Sequence, residues 1–257
     1  MTETIVSNLS VSIGQKDILS NINFSIKSGE TVGLIGPNGS GKTTLMRSIL
    51  GLQKLSKGEV FVGGQNIKII SKNKLAKQMA FIPQGGTSEW PLTVENLVAL
   101  GRLPYTTNLS PPSTIDWEII QNSIDLCGLK DLSTRKVSSL SGGEWARVCF
   151  ARAISSEPNL LLADEPIAFL DPKHCFQIIT LIKNLAARGK SALVILHDLS
   201  ITMRFFDRVI ILKDGKLVAV GSPKEVMSEN FIADTFEVDI LQGQANSESF
   251  IMPWKIR

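Results

Sequence analysis

Apolar positions alternate with polar ones early in the chain. Ile22, Phe24 and Ile26 repeat every second residue, which predicts a half-buried strand. Thr31 to Ile35 is a short apolar run ending at a glycine, and Leu45, Ile49 and Leu52 then recur at helical spacing. Gly58 to Gly63 and Met79 to Pro83 read as further strands. From about Gly85 to Ser156 the pattern changes to helices joined by Pro- and Ser-rich loops. Trp117, Ile120, Ile124 and Cys127 share one helical face there, with Gly128 placed to end the helix. Pro104, Pro111 and Pro112 indicate a surface loop before it.

Strand and helix alternate again after the lobe. Leu160 to Ala163 predicts a buried strand. Asp171-Pro172 starts a helix whose inner face carries Cys175, Ile178, Ile179, Ile182 and Leu185, ended by Gly189. Ser191 to Leu196 is the next strand. Val209 to Leu212 and Leu217 to Val220 flank Asp214-Gly215, a hairpin signal. The alternation implies an α/β fold with a mostly parallel sheet. A core over 1–84 and 157–230, an inserted helical lobe over 85–156 and an extension over 231–257 are expected within one domain.

The 257 residues are 43% hydrophobic and 20% charged, enough for a buried core. A net charge of +3 gives little reason to expect nucleic acid or an anionic membrane as partner. Cys127, Cys149 and Cys175 are odd in number and widely spaced, which suits a reducing cytosol better than a disulfide framework or a zinc site. Met1 to Ser12 has neither the basic start nor the apolar run of a signal peptide. No stretch reaches the roughly 18–20 apolar residues of a membrane helix, so a membrane role is expected only through a partner.

Chemistry enters at Gly36-Pro37-Asn38-Gly39-Ser40-Gly41-Lys42-Thr43, which fits the phosphate-binding P-loop between a strand and a helix. Glycines let backbone N–H groups curl around phosphate oxygens, and the helix N-terminus favours negative charge. Lys42 suits the β- and γ-phosphates of ATP, the Thr43 hydroxyl suits Mg²⁺, and Thr44 the α-phosphate. An ordinary glycine-rich turn is the bland alternative, disfavoured by the flanking strand and helix.

Leu160-Leu161-Leu162-Ala163-Asp164-Glu165 is an apolar strand ending in two acids, where parallel sheets gather catalytic groups. Asp164 is suited to hold Mg²⁺ and Glu165 to orient or deprotonate water, although a solvated acidic turn would read the same in isolation. Leu140-Ser141-Gly142-Gly143-Glu144 precedes another helix. Ser141 with Gly142 and Gly143 offers a second anion site, and Ser141 as a plain N-cap remains open.

The ordered set GPNGSGKTT, Gln84, LSGGE, LLLADEP, Leu170-Asp171 and Leu196-His197-Asp198 resembles the ATP-binding cassette (ABC) transporter ATPases from about Thr4 to Val226. The resemblance implies a P-loop ATPase core with an N-terminal antiparallel β part. It also implies a head-to-tail dimer of two copies in which LSGGE of one chain closes over ATP held by the other. Gln84 would sense the γ-phosphate and Mg²⁺ and relay to a permease, His197 would contact the γ-phosphate, and Asp171 would link the two sites. From the residues alone, Gln84 could be a loop amide, Asp171 an N-cap and His197 a structural histidine. His174, early in a helix, reads as solvated and without a role.

Two positions depart from the family pattern. Ile13 stands where an aromatic usually stacks on adenine, so base selectivity is expected to be weakened. Ile167 follows DEP, where Thr or Ser is common. LTVENL over 92–97, Gly101-Arg102-Leu103-Pro104-Tyr105, LSGGEWARV and ADEPIAFLDPKH are similar to importers for iron-siderophore, haem and cobalamin. That likeness implies a peripheral subunit on the cytoplasmic face of the inner membrane, paired with a permease dimer and, indirectly, a substrate-binding protein. The alternative is a soluble ABC ATPase acting on nucleic acid or ribosomes. Those typically carry two cassettes or a long coiled-coil insertion, and this sequence has neither. The guanine-reading Asn-Lys-x-Asp motif is absent too, since Asn73-Lys74 continues as Leu75-Ala76.

Overall fold

Short, uniformly apolar strands set the centre of this protein, because only a strand covered on both faces can be apolar without alternation. The computed structural model describes residues 3–85, 91–106, 110–246 and 248–257. In chain order the elements are β1 (Thr4–Ile13), β2 (Lys16–Ile26), β3 (Thr31–Ile35), α1 (Lys42–Ile49), β4 (Lys57–Val62), β5 (Gln65–Asn66), α2 (Lys72–Gln78), β6 (Met79–Ile82), α3 (Val94–Ala99), α4 (Thr114–Leu126), α5 (Gly142–Ile154) and β7 (Leu160–Asp164). There follow α6 (Pro172–Ala187), β8 (Ser191–Ile195), α7 (Leu199–Phe205), β9 (Arg208–Lys213), β10 (Lys216–Gly221), α8 (Pro223–Val226), α9 (Glu229–Phe236), β11 (Val238–Ala245) and β12 (Glu248–Ile256). Contacts divide the chain into one unit running to Ile70 and resuming over Ser191–Arg257, and a second unit, Ser71–Lys190.

In the first unit, β3 lies between β8 and β9 and pairs with both in parallel. All five residues of β3 and all five of β8 are buried, the polar Thr31 and Ser191 that open them as well as the apolar runs that follow. β9 continues through Asp214 (φ 49°) and Gly215 (φ 72°) into antiparallel β10, the left-handed pair that a two-residue hairpin needs. A separate antiparallel sheet has the order β2-β1-β4-β5. Its alternation buries Ile22, Phe24 and Ile26 on one face.

One expected helical position fails. Leu45 and Ile49 are buried in α1, but Leu52 is 70% exposed, because the helix has already ended and Gly51 (φ 70°) turns the chain. The C-terminal extension is an antiparallel hairpin of β11 and β12. Ser200 in α7 hydrogen-bonds the Ile251 backbone, and the Arg204 guanidinium Nε donates to Glu248 at 2.7 Å, so the hairpin is pinned to α7.

The second unit is larger than the lobe expected over 85–156. It includes β6 and β7, which pair in parallel from Met79↔Leu160 to Ile82↔Ala163, and α5 packs against β6. Ile120, Ile124 and Cys127 are buried along α4, and Gly128 (φ 63°) reverses the chain after it. Burial pushes the Cys127 thiol up to about 12 and the Cys149 thiol up to about 11, so neither is a ready nucleophile. The proline-rich loop lies only partly within the described residues, since 107–109 fall outside them. Pro104 itself is in a 3-10 helix, Leu100–Tyr105.

That 3-10 helix carries GRLPY. A Cβ on Gly101 would stand 2.2 Å from the Arg152 carbonyl oxygen and 2.1 Å from Ser155 Oγ, so only glycine permits this approach to the end of α5. Arg102, 4% exposed, donates through Nε to Asp116 (2.8 Å) and through Nη1 to the Ser155 carbonyl (2.9 Å) and Glu157 (2.9 Å). Its guanidinium lies 3.7 Å from the Tyr105 ring centre, and the Tyr105 hydroxyl donates to the Ser156 carbonyl. What marks the sequence as family-like is thus a buried strut tying together the 3-10 helix, α4 and the end of α5.

Candidate functional site

The first unit holds the phosphate loop. β3 delivers the chain to Gly36 and α1 receives it at Lys42. A Cβ on Gly36 (φ 154°) would sit 2.0 Å from the Leu212 carbonyl oxygen and 2.9 Å from Ser40 Oγ, so this bend requires glycine. The Ser40 N–H donates to the Pro37 carbonyl, and the Gly215 N–H to the Ser40 carbonyl, which fixes the loop from below. Lys42, 7% exposed, donates its ammonium to the carbonyl oxygens of Gly36 (2.8 Å) and Pro37 (2.9 Å). The cation is thereby held across the loop rather than extended into solvent. Ser40 Oγ is buried and has no hydrogen-bond partner among the described residues. A buried hydroxyl in that condition, in the loop that leads into a helix N-terminus, fits a phosphate oxygen well.

Parallel pairing of β3 with β8 brings His197 to the same end of the sheet. The register Leu34↔Ile195 sets His197 level with Gly36, two residues further along each strand. His197 is exposed, and the next residue, Asp198, caps α7 by accepting the Ile201 N–H at 2.8 Å. Ile13, at the end of β1, is 52% exposed and offers apolar surface without a ring.

The second unit holds the acids. The register Ile82↔Ala163 carries Gln84 and Glu165 out side by side at the ends of β6 and β7. Gln84 Nε2 donates to Glu165 Oε2 at 2.7 Å, which fixes the carboxylate and leaves the Gln84 amide oxygen free to accept or ligate. Glu165 has φ 51°, an unusual conformation for a glutamate and the kind of strain that clusters at reactive sites. Asp164, immediately before it, is 3% exposed.

Ser141 caps α5 in a reciprocal capping box. Its Oγ accepts the Glu144 N–H, and Glu144 Oε2 accepts the Ser141 N–H at 2.8 Å. These bonds, led by that from the Ser141 backbone, hold the Glu144 carboxyl below the usual range. Ser141 and Gly142 remain exposed while Gly143 is buried. Asp171 caps α6 by accepting the His174 N–H at 2.9 Å, so the plain N-cap reading describes both residues locally. It does not exhaust them, because an N-cap still leaves neighbouring N–H groups of the first turn available to an anion. Bonds from the His174 backbone first, and then from its ring, hold the Asp171 carboxyl below the usual range.

One residue departs from expectation. His174 is not simply solvated: its side chain is 25% exposed, and Nδ1 lies 2.7 Å from Asp171 Oδ2. Its position early in a helix gave no signal of this, because the partner that covers the ring is Gly143, far away in sequence.

Thus Gly36–Thr44 and His197 lie in one unit, and Gln84, Ser141–Gly143, Asp164, Glu165 and Asp171 in the other.

The chain is similar in sequence and in fold to known proteins. The ABC transporter family pattern matches residues 19–168. The petrobactin import ATP-binding protein FpuC of Bacillus anthracis is 37% identical over 241 residues, covering 93% of this chain and 88% of that protein. The hemin import ATP-binding protein HmuV of Pseudomonas fluorescens (strain Pf0-1) is 33% identical over 239 residues, covering 91% of this chain and 92% of that protein. Among solved structures, the dimeric post-hydrolysis state of the ATP-binding cassette MJ0796 bound to ADP and Pi superposes with a TM-score of 0.72 at 29% identity. That match covers 86% of this chain and 98% of that one.

Proposed function

This chain belongs to the ABC transporter family, and from that premise we propose that it is the ATP-hydrolysing subunit of an importer for an iron-siderophore, haem or cobalamin. The observation that carries the ATPase reading is the 2.7 Å bond between Gln84 and Glu165, a carboxylate fixed at the end of a buried strand beside an acid of different burial. The cargo class rests on the relatives' names and on the GRLPY segment, since no residue of an ATPase subunit need touch the cargo.

In the proposed mechanism the backbone of Gly36–Gly41, Ser40 and Lys42 binds the ATP phosphates, with Thr44 toward the α-phosphate. Thr43, Gln84 and Asp164 offer hydroxyl, amide and carboxylate oxygens, a hard donor set that fits Mg²⁺. When bound, that ion would neutralise charge developing on the phosphates. Water attacks the γ-phosphorus as the bond to the β–γ bridging oxygen breaks, and the leaving ADP takes the electron pair. Glu165 orients the water and receives its proton, and His197 contacts the γ-phosphoryl oxygens.

A second copy of the chain supplies Ser141, Gly142 and Gly143 over the nucleotide, with Asp171 linking the two sites. The MJ0796 structure is itself a dimer, which supports this reading. No helix among the described residues is long and apolar enough to cross a membrane. In this reading, which rests on the likeness to import subunits, the pair docks on the cytoplasmic side of a permease dimer, which in turn receives cargo from a substrate-binding protein. Closure on ATP switches the permease, and hydrolysis resets it.

The test is a strain whose only copy carries Glu165→Gln, grown with iron supplied solely as a chelate or as haem, and separately with limiting cobalamin. Loss of uptake of one of the three is the expected result. Normal uptake of all three would remove the importer assignment and favour a soluble ATPase.

A further inference from the structure

His174 stands outside the chemistry assigned above, yet it touches two of its parts. Its Nδ1 lies 2.7 Å from Asp171 Oδ2, while its backbone N–H donates to the other carboxylate oxygen at 2.9 Å. The ring also lies against Gly143. A Cβ built on Gly143 would stand 2.3 Å from His174 Cγ and Cδ2 and 2.7 Å from Nε2, so the imidazole occupies the space any side chain at Gly143 would need. Beside it, Leu170 Cδ2 lies 3.9 Å from where a Cβ of Gly142 would be.

Within the segment between Glu165 and Asp171, the Ala168 N–H donates to the Glu165 carbonyl (3.1 Å) and the Leu170 N–H to the Ile167 carbonyl (3.3 Å). Glu165 (φ 51°) and Phe169 (φ 63°) are both in the left-handed region, and Phe169 is fully exposed. Without support, two such residues would be expected to relax. The support visible at the far end is the Cys175 thiol, which reaches the carbonyls of Ile167 and Leu170 at 3.6 and 3.5 Å, together with the His174–Asp171 pair. His174 and Cys175 both belong to the first turn of α6. The imidazole then carries that anchorage across to the first turn of α5.

We propose that His174 is a positioning residue: its ring fixes Asp171 and the Gly142–Gly143 turn as one surface, which a second copy of the chain must meet when it holds ATP. The inference rests on the dimer reading given above. In this role His174 acts through Asp171 and the Gly142–Gly143 turn, not on the nucleotide itself. It acts by removing the freedom of two segments that would otherwise have to be ordered at the moment of closure.

His174→Ala should therefore leave ATP binding to the chain's own phosphate loop within about twofold while lowering kcat roughly 10- to 100-fold, the scale of a small misplacement. In a Glu165→Gln background it should raise the ATP concentration needed for dimerisation, read by light scattering, by about the same factor. His174→Asn keeps a donor at the Nδ1 position and His174→Phe keeps a ring against Gly143, so each should recover part of the loss. Gly143→Ala places a methyl where the ring is. It should be impaired too, and combining it with His174→Ala should cost less than the sum of the two.

Glu165→Gln alone is the control. If it stays monomeric with ATP, the dimer reading itself fails. If it dimerises and the added His174→Ala changes neither the ATP requirement nor kcat, only the role given to His174 is overturned. A loss of thermal stability with kcat and dimerisation unchanged would likewise reduce His174 to an ordinary packing residue.

Discussion

Replacing Glu165 by glutamine is expected to cut ATP turnover by roughly 10²- to 10⁴-fold, the range for losing a general base, with nucleotide affinity nearly unchanged. Glutamine has the same length and can still accept the Gln84 amide hydrogen now bonded to Glu165 Oε2. The left-handed backbone at residue 165 makes no demand that distinguishes the two side chains. What is lost is the capacity to take a proton from water. Affinity should persist because the phosphate loop, with Lys42 bridging the Gly36 and Pro37 carbonyls, is untouched. Phosphate release in the steady state and titration with a fluorescent nucleotide separate the two quantities. Turnover within about threefold of wild type would take the base role away from Glu165.

The second large effect is on stability. Arg102→Ala should destabilise the fold by about 3–5 kcal/mol, the usual cost of breaking a buried ion pair by removing one partner. The side chains of Arg102 and Asp116 are only 5% and 11% exposed, so water cannot readily replace the lost guanidinium. The Ser155 carbonyl would also lose its donor, and Tyr105 the nearer of the two cations over its ring, leaving Lys77. Glu157, at 53% exposure, contributes little by comparison. At roughly 2–4 °C per kcal/mol for a chain of this size, the melting midpoint should fall by roughly 6–20 °C.

The same cluster has a pH signature of known sign. Bonds from the Ser113 hydroxyl first, and then from Arg102, hold the Asp116 carboxyl below the ordinary aspartate range. A depressed carboxyl stabilises the fold above the unfolded value and loses that contribution as pH falls through the folded one. Wild type should therefore lose stability on acidification into that range, and Arg102→Ala should lose less. A midpoint shift worth under about 1 kcal/mol would mean that neighbouring polar groups or water replace the strut.

These two residues differ in how far the sequence announced them. Glu165 stands out in the sequence as a candidate base because an apolar run ending in two acids has few other uses in a chain with a phosphate loop, and the motifs follow one another in a fixed order. Arg102 was visible only as part of a family-like word, GRLPY, and its burial depends on Asp116 and Ser155, distant in sequence. The cover over the His174 ring is hidden for the same reason, since helical periodicity says nothing about a glycine that leaves room for a ring. Leu52 fitted the helical period but lay beyond Gly51, where backbone freedom overrode periodicity. β6 and β7 were both foreseen as strands, but pairing and packing place them in one unit with the helices, a grouping that composition along the chain does not reveal. The phosphate loop, by contrast, is a local device, and its glycines and lysine act within nine residues of one another.

In the proposed dimer each ATP is enclosed by the phosphate loop of one chain and the Ser141–Gly143 turn of another. Chains carrying Ser141→Arg and chains carrying Lys42→Ala should each be inactive alone, the first because a bulky cation blocks the exposed N-cap and the second because the bridging ammonium is gone. When the two are mixed in equal amounts, half of the dimers combine one of each. Every such dimer has one site with both lesions and one with neither, so phosphate release should return to about a quarter of the wild-type rate if a single intact site turns over. A mixture as inactive as its components, under conditions where exchange of subunits is verified, would contradict the shared site.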